Sequence, residues 1–483
     1  VRELVRISPV VVALGERFAA AGFALHLVGG SVRDALLGRL GDDLDFTTPA
    51  TPDQVLEVAA GWADAVWDVG IAFGTVGLRK GDLKLEVTTY RAESYRSESR
   101  KPEVAYGTSL TEDLLRRDLS VNAMAVAFPD WQAPDAFVDP YGGLDDLAAR
   151  RLRTPGRPED SFGDDPLRML RVARFAAQLG FVPAPEVVDA MTAMAGRLEI
   201  VSAERVREEL AKLVSGAHPR AGLELLVDTG LAALVLPELP GLRLEIDEHH
   251  QHKDVYEHTL QVLERAQALE DDGPDLVLRL AALLHDIGKP RTRRHEAGGG
   301  VSFHHHEVVG GKMARKRMRE LTFSKETTDA VVRLIELHLR FHGYGEQSWT
   351  DSAVRRYVTD AGEELDRLHK LVRSDCTTRN RRKAARLAAA YDELEQRIAD
   401  LRRQEDLDRI RPDLDGQQVM DLLGLRPGRV VGAALRHLLA LRMSEGPLGT
   451  EAATAELLRW ADEQGVGRPE AGPEARPEQG PPL

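Results

Sequence analysis

Two aspartates set two residues apart, Asp43 and Asp45, follow a glycine pair and a basic residue in the run LVGGSVRDALLGRLGDDLDFTT (27–48). In a short β-type segment residues i and i+2 share a face, so both carboxylates can grip the same divalent cations. Mg²⁺ favours a few carboxylates together with phosphate oxygens, and two such ions about 4 Å apart can activate an attacking hydroxyl while stabilising a departing pyrophosphate. That is the chemistry of nucleotidyl transfer. Upstream, Gly29 and Gly30 end a strand, and Ser31 reads as the N-cap of a helix with Arg33 in its first turn. Glycines let the backbone approach a triphosphate, free N–H groups at the helix start point outward, and Ser31 or Arg33 can add hydrogen bonds. Glu86, on the later strand LKLEVTT, is a candidate third carboxylate; a solvated strand residue is the alternative. An isolated D-x-D is more simply an acidic turn, and the nearby G-G-S-x-R-D turn is what argues otherwise.

A second constellation comprises His258, then His285 and Asp286 in the apolar run LRLAALLHDIGKP, then His306, His338 and Asp375. Imidazole and carboxylate suit Mn²⁺, Fe²⁺, Ni²⁺ or a similar divalent transition metal, and an adjacent His-Asp pair can bridge two ions. Charged Asp286 beside an apolar face needs a partner, which a metal would supply. His249, His250 and His252 read as a hydrated linker, and Cys376 as a small packed residue.

Asp165 and Arg168 are spaced to share one helix face and to present an acceptor beside a donor to a single base edge. Cytosine and adenine each carry an exocyclic amino donor next to an unprotonated ring nitrogen, whereas uracil and guanine show a carbonyl next to a ring N–H. Such an edge fits two bases and mismatches two, with good bidentate contacts worth ~1–3 kcal/mol. The alternative is an exposed ion pair worth a few tenths of a kcal/mol.

The elements that must position these groups fall into a graded series. Residues 1–150 mix an amphipathic helix over Pro9–Ala21 with β-type runs at Ala24–Val28, Leu44–Thr47, Thr75–Leu78 and Leu83–Thr89, and read as a small α/β head. From about 151 the pattern turns almost wholly helical: a neck over 151–240, a metal-binding domain over 241–390 and a helical tail over 391–466, with PGLRLEIDEHHQHKD (240–254) as linker. The Pro-, Gly- and Glu-rich end, 467–483, reads as disordered. The fold class is therefore α/β followed by mainly α. At 483 residues, three or so units of ~100–200 residues are expected, and no stretch approaches the ~20 apolar residues of a membrane span. One cysteine precludes an intrachain disulfide, and the charged, broken-up N-terminus does not read as a signal peptide, so the cytoplasm is the expected compartment. A net charge of −14 opposes indiscriminate nucleic-acid binding over the whole surface but leaves room for local basic patches, the clearest being 367–386.

At this point a resemblance emerges. The glycine turn and carboxylates, followed in order by RRDLSVNAMA (116–125), DPYGGLDDL (139–147), DDPLRMLRVARF (164–175) and SAERVREEL (202–210), resemble the class II tRNA nucleotidyltransferases, the CCA-adding enzymes, within the polymerase beta-like superfamily. The resemblance implies that Arg116, Arg117, Asp118 and Asn122 bind ribose and triphosphate, that 139–147 is a hinge between head and neck, and that Asp165, Arg168 and Arg171 belong to the nucleobase-recognition motif. It also implies tRNA, CTP and ATP as partners. The order His, His-Asp, His, His, Asp resembles the HD phosphohydrolase superfamily, with HHEVVGG selecting His306 over His304 and His305. This implies a possible metal-dependent activity on phosphate monoesters and 2′,3′-cyclic phosphates. Bacterial poly(A) polymerase shares the head and neck; GIAFGTVGL (70–78) is similar to the CCA-adding type, and the basic G-R-R-F-type run of that polymerase is not found. A third reading is an HD hydrolase whose head only senses nucleotide. A segment near Arg91–Thr111 is the candidate for assisting the switch from C to A. Oligomeric state is not legible.

Overall fold

The computed structural model describes residues 8–39, 41–67, 71, 74–90, 107–243, 254–295, 301–343, 349–376, 378, 380–405 and 410–466. The head begins with α1 (Pro9–Ala20), whose Pro9 occupies the first helical position while the Ser8 hydroxyl accepts the N–H of Val10. There follow β1 (Leu25–Val28), α2 (Gly30–Leu36), β2 (Asp43–Thr48), α3 (Pro52–Ala59), β3 (Ala65–Trp67), β4 (Thr75–Lys80), β5 (Leu83–Thr89), α4 (Leu110–Leu115), β6 (Ala125–Phe128) and β7 (Phe137–Val138). The strands form one sheet in the order β3-β4-β5-β2-β1-β6-β7. Only β2 and β5 run parallel within it, in a register that sets Asp45 opposite Glu86 and Asp43 opposite Lys84. Along β2, Leu44 and Phe46 are buried while Asp43 and Asp45 stay exposed, the period-two alternation expected of a strand with one face on a core. That core includes Leu25, Leu27, Val76, Leu78, Leu85 and Val87, all fully buried.

Next come α5 (Gly143–Ala148), β8 (Arg151–Leu152), α6 (Pro158–Asp164), α7 (Leu167–Leu179), β9 (Val182–Pro183), α8 (Pro185–Met194), α9 (Ala203–Val214), α10 (Pro219–Asp228) and α11 (Ala232–Val235). The helix α7 packs against both α9 and α10. Helices α12 (Val255–Gln267), α13 (Leu276–Leu284) and α14 (Lys289–Thr292) follow, then the short hairpin β10 (Arg294–His295) and β11 (Val301–Ser302), then α15 (His306–Glu320) and α16 (Lys325–Leu337). The almost wholly helical pattern read from 151 onward is thus interrupted twice: by that hairpin and by a parallel bridge in which Arg151 pairs with Val182 and Leu152 with Pro183. The hairpin falls in RHEAGGGVSFHHHE (294–307), whose glycines read in sequence as an irregular stretch interrupting the later helices, whereas the two-residue bridge carries too little periodicity to be seen there.

The chain divides into two compact units, 1–332 and 333–483. The second contains α17 (Asp351–Ala361), α18 (Leu365–Asp375), α19 (Arg381–Gln404), α20 (Gly416–Leu423), α21 (Arg429–Glu445) and α22 (Gly449–Glu463). Its last three helices close over Leu414, Val419, Leu423, Ala434, Leu438 and Leu457, with left-handed Gly424 ending α20. No helix among the described residues is long and apolar enough to cross a membrane. The histidines at 249, 250 and 252, the stretch 91–106 and the Pro-rich end lie outside the described residues.

Candidate active site and metal centre

The turn between β1 and α2 is built around Gly29, whose φ of 70° and ψ of −139° lie where only glycine is comfortable. A Cβ there would sit 2.7 Å from Arg117 Nη1 and 3.7 Å from Asp45 Oδ2. Glycine pair, arginine and carboxylate therefore converge on one spot. The helix starts two residues earlier than its sequence suggests: Gly29 is the N-cap, and Ser31 lies inside the first turn without capping it. Ser31 instead accepts the backbone N–H of Asp45 on its Oγ at 3.0 Å, because burial against β2 gives the hydroxyl a stronger claim there.

Partial burial lifts the Asp45 carboxyl above its ordinary range; Arg117 opposes this, Asp43 adds to it and Arg33 opposes it. Glu86 is raised likewise, by burial first and then by Asp45 and Asp43. Three carboxylates thus repel one another on the exposed face of the adjacent strands β2 and β5, with Lys84 Nζ 3.6 Å from Asp43 Oδ1. Hard oxygen donors that destabilise one another as anions suit Mg²⁺.

Behind the turn, Arg33 is buried, with Nη1 donating to Asn122 Oδ1 at 2.6 Å and a two-pronged contact to Asp34 at 3.1 and 2.8 Å. Asn122 in turn donates to Asp118, which also receives Arg171 at 2.7 and 2.6 Å and the N–H of Leu119. Burial opposes the Asp118 charge, yet Arg171, the Asn122 hydrogen bond and Arg174 hold its carboxyl well below the usual range. Burial and Arg171 push Arg174 down to about 10, against Glu209, whose carboxylate lies 3.1 Å from Arg174 Nε. Arg116 ends α4, and its side chain lines the nearby cavity.

That cavity, about 390 Å³, is lined by Asp45, Thr88, Asp113, Arg116, Arg117, Asp165, Arg168 and Arg205, among others. Asp165 and Arg168 both reach it, but not as two residues of one helix. Asp165 is extended, Pro166 follows, and α7 begins only at Leu167, since proline disfavours helical backbone at the residue before it. The two side chains bind other partners: Asp165 accepts from Leu167 N–H and from Arg205, while Arg168 donates to Ser161 and to the carbonyl of Arg116. Sequence reading missed Asp113, Ser161 and Arg205. Asp113 is buried, 3.3 Å from Thr47 Oγ1 and 3.7 Å from Arg117 Nη2. Of these signals only the position of Arg205 inside SAERVREEL was available in sequence.

In the later helices of the first unit, Asp275 caps α13 and the fully buried run Leu280–Leu284 leads straight to His285 and Asp286. Around Asp286, itself 1% exposed, stand His285 Nε2 at 3.1 Å, His258 Nε2 at 3.5 Å, His306 Nε2 at 3.3 Å and Lys289 Nζ at 2.9 Å. The ring Nδ1 of His285 lies 2.8 Å from the carbonyl of Ala282, and that of His306 2.8 Å from Phe303. A carbonyl can only accept, so each Nδ1 carries a proton, which leaves Nε2, the nitrogen facing Asp286, as the one each ring could offer to a metal. Burial opposes the Asp286 charge, but His285 and Lys289 hold its carboxyl well below the ordinary range. Gly288 permits the approach: a Cβ there would sit 2.2 Å from the carbonyl of His306. In the second unit, His338 is 1% exposed, with Nδ1 2.6 Å from the carbonyl of Ile335, and Asp375 ends α18.

Residues 25–153 match the family described as the poly A polymerase head domain, 180–242 a probable RNA-binding region of such polymerases, and 255–400 the HD domain. The last stretch takes in all six expected HD ligands. The A-adding tRNA nucleotidyltransferase of Deinococcus radiodurans is 34% identical over 453 residues, 90% of this chain and 95% of that protein. The chain belongs to the tRNA nucleotidyltransferase family. A second member of the family, the CC-adding tRNA nucleotidyltransferase of Thermus thermophilus, is 34% identical over 445 residues, covering 90% and 93% of the two chains. The CCA-adding enzyme of Bacillus stearothermophilus, solved in complex with CTP, matches the fold at a TM-score of 0.68 with 24% identity, over 95% of this chain and 99% of that one. The chain thus carries a nucleotidyltransferase head and an HD domain in a largely helical fold. Membership also disfavours the poly(A) polymerase and nucleotide-sensing readings, since both near-full-length relatives are named for nucleotide addition to tRNA.

Proposed function

We propose that this chain adds CCA to the 3′ end of tRNA from CTP and ATP without a nucleic-acid template, in the cytoplasm. The observation that carries the reading is the meeting of Asp45 and Arg117 at the Gly29 turn, beside a cavity that also holds Asp165 and Arg168. In this reading Gly29, Gly30, Ser31, Arg33, Arg116, Arg117, Asp118, Asn122 and Arg171 receive or brace the nucleotide, and Asp165 and Arg168 read its base. Asp43 and Asp45, with Glu86 beside them, would hold Mg²⁺, which when bound supplies the Lewis acidity that activates the terminal ribose hydroxyl and stabilises pyrophosphate. The new bond joins that hydroxyl oxygen to the α-phosphorus, and the bond to the bridging oxygen of pyrophosphate breaks.

The tRNA surface divides in two. Within 367–386, Arg367 pairs with Glu364, Lys370 with Asp366, and Arg373 with Asp392 and Glu395. Arg381, Arg382, Lys383 and Arg386 are exposed at the start of α19, with no carboxylate at salt-bridge distance among the described residues. Four cations at the positive end of a helix dipole oppose local stability and favour a phosphate backbone. The HD site would take Mn²⁺, Fe²⁺, Ni²⁺ or a similar ion on His258, His285, Asp286 and His306, to which the family resemblance adds His338 and Asp375. Its phosphohydrolase chemistry would trim damaged 3′ ends.

The test supplies Mg²⁺, a tRNA lacking CCA, and each nucleoside triphosphate alone or together. Two C and one A are expected, abolished by Asp43→Ala or Asp45→Ala and retained with His285→Ala plus Asp286→Ala. Addition of C alone or A alone would replace the reading by the partial specificities for which the two long relatives are named, and unlimited A addition by polymerase activity.

A further inference from the structure

Arg117 is held differently from the other basic side chains around the glycine turn. Arg33 and Arg171 each place two nitrogens on one carboxylate, that of Asp34 and that of Asp118. The Nε of Arg117, by contrast, is buried with no hydrogen-bond partner among the described residues. Its Nη1 and Asp45 Oδ2 border the same point beside Gly29, at 2.7 and 3.7 Å, and its Nη2 lies 3.7 Å from Asp113 Oδ2. Charge therefore sets its direction. Asp45 attracts it from one side, where it opposes the rise of that carboxyl, and Asp113 attracts it from another. Asp113 is in turn anchored to the strand of the acidic pair. Thr47, fully buried and two residues after Asp45 on β2, turns Oγ1 to Asp113 Oδ2 at 3.3 Å and to the Thr88 carbonyl at 3.1 Å.

We propose that Asp113 is a positioning residue for triphosphate binding and acts through Arg117. The inference rests on the reading of Arg117 given above. An arginine side chain is long and rich in rotamers, and attraction to a single charge leaves most of that freedom in place. With Asp45 as its one anion, the guanidinium needs only a small rotation past Gly29 to settle on that carboxylate. It would then be turned from the phosphates and stand against the oxygen read as a magnesium ligand. A second carboxylate divides the pull, so the guanidinium rests between the two at the level of the glycine turn. Asp113, Arg117 and Asp45 all line the same cavity. Asp45 and Thr47 project from one face of β2, so the series Asp45, Arg117, Asp113, Thr47 begins and ends on a single strand. The cation that would receive phosphate is thereby placed from the same backbone that carries the acidic pair, the kind of shared support that precise positioning requires.

The experiment is calorimetry on the full chain with a non-hydrolysable CTP and with inorganic tripolyphosphate, without magnesium so that only the protein's own groups are read, and with thermal melting alongside. Asp113→Asn keeps an acceptor for Thr47 and loses the charge. It is expected to weaken both ligands about tenfold, the scale of one charge-assisted contact. Arg117→Ala should weaken both at least as much. Asp113→Asn added to Arg117→Ala should then bring no further loss, because its effect runs through the guanidinium. Thr47→Val releases Asp113 with every charge in place, and should give a smaller loss of the same sign that Thr47→Ser restores; it carries the same comparison should Asp113→Asn not fold. If Arg117→Ala leaves both affinities intact, the triphosphate role of Arg117 itself is wrong. If Arg117→Ala weakens binding while Asp113→Asn does not, or if Asp113→Asn weakens it equally with and without Arg117, the role of Arg117 stands and the positioning role of Asp113 is overturned.

Discussion

Ser31 Oγ accepts the backbone N–H of Asp45, tying the first turn of α2 to the strand that carries the acidic pair. The bond fixes where the glycine turn sits relative to the carboxylates. Ser31→Ala should therefore lower kcat/KM for the nucleotide by roughly tenfold, while stability falls only by the ~1 kcal/mol of one buried hydrogen bond. Steady-state kinetics and denaturant melts read the two separately; a large loss of stability with unchanged kinetics would contradict the positioning role.

Gly29→Ala should be more damaging. The substitution places a Cβ in a backbone region hostile to L-residues and against Arg117. Strain of about 1–3 kcal/mol is expected, along with loss of triphosphate affinity, which calorimetry with a non-hydrolysable nucleotide can measure.

Asp45→Asn should abolish transfer and yet stabilise the protein at neutral pH. The folded state raises the Asp45 carboxyl, so folding binds a proton more tightly than the open chain does. Below the unfolded value, near ~3.9, both states are protonated and the charge costs nothing. As pH rises through that value and the higher folded one, the cost of a partly desolvated charge beside Asp43 appears and then stays. The variant's melting midpoint should consequently exceed that of the parent at pH 7 and converge with it at pH 3. Equal midpoints at both pH values would show that the charge carries no folding cost.

Asp118→Asn predicts the opposite slope. Its carboxyl is held low by Arg171, Asn122 and Arg174 against burial, so its stabilisation is complete above about pH 4 and is lost as pH falls through the folded-state value. Removing one member of a buried pair should cost about 3 kcal/mol at pH 7, and the difference should shrink in urea melts taken at progressively lower pH.

For the basic surface, Arg381→Glu with Arg382→Glu should raise KM for tRNA several-fold at low salt, reduce the dependence of log KM on log salt, and leave kcat on a short acceptor hairpin unchanged. Arg367→Glu should do little of this, because its charge is already matched by Glu364. Equal salt slopes for both variants would remove the assignment.

The parts of this site that could be read in sequence are those whose geometry is local. The D-x-D spacing and the strand period fix which face Asp43 and Asp45 share, and the apolar run before His285 already demands a partner for Asp286. What could not be read depends on residues far apart in the chain. Gly29 rather than Ser31 caps α2 because the serine is drawn to a strand fourteen residues on. Asp165 and Arg168 do not share a helix because Pro166 intervenes, so residues spaced by three meet at one cavity without the helical geometry that spacing suggests. Arg205 and Asp113 line the cavity from two other elements, Ser161 reaches Arg168 from a third, and Lys289 reaches Asp286 within a tight turn that hydrophobic periodicity does not reveal. Arg367, Lys370 and Arg373 of the basic stripe 367–386 are matched by acids on α18, α19 and the segment before them, a pairing that a count of charges misses.

The parallel partnership of β2 and β5 bears on synthesis. Glu86 reaches Asp45 only after α3, β3 and β4 have been made and the chain has crossed back over the sheet. Non-local pairing of this kind is entropically slow to form. A ribosome that has extruded only as far as α3 thus carries Asp43 and Asp45 without the strand that sets Glu86 beside them.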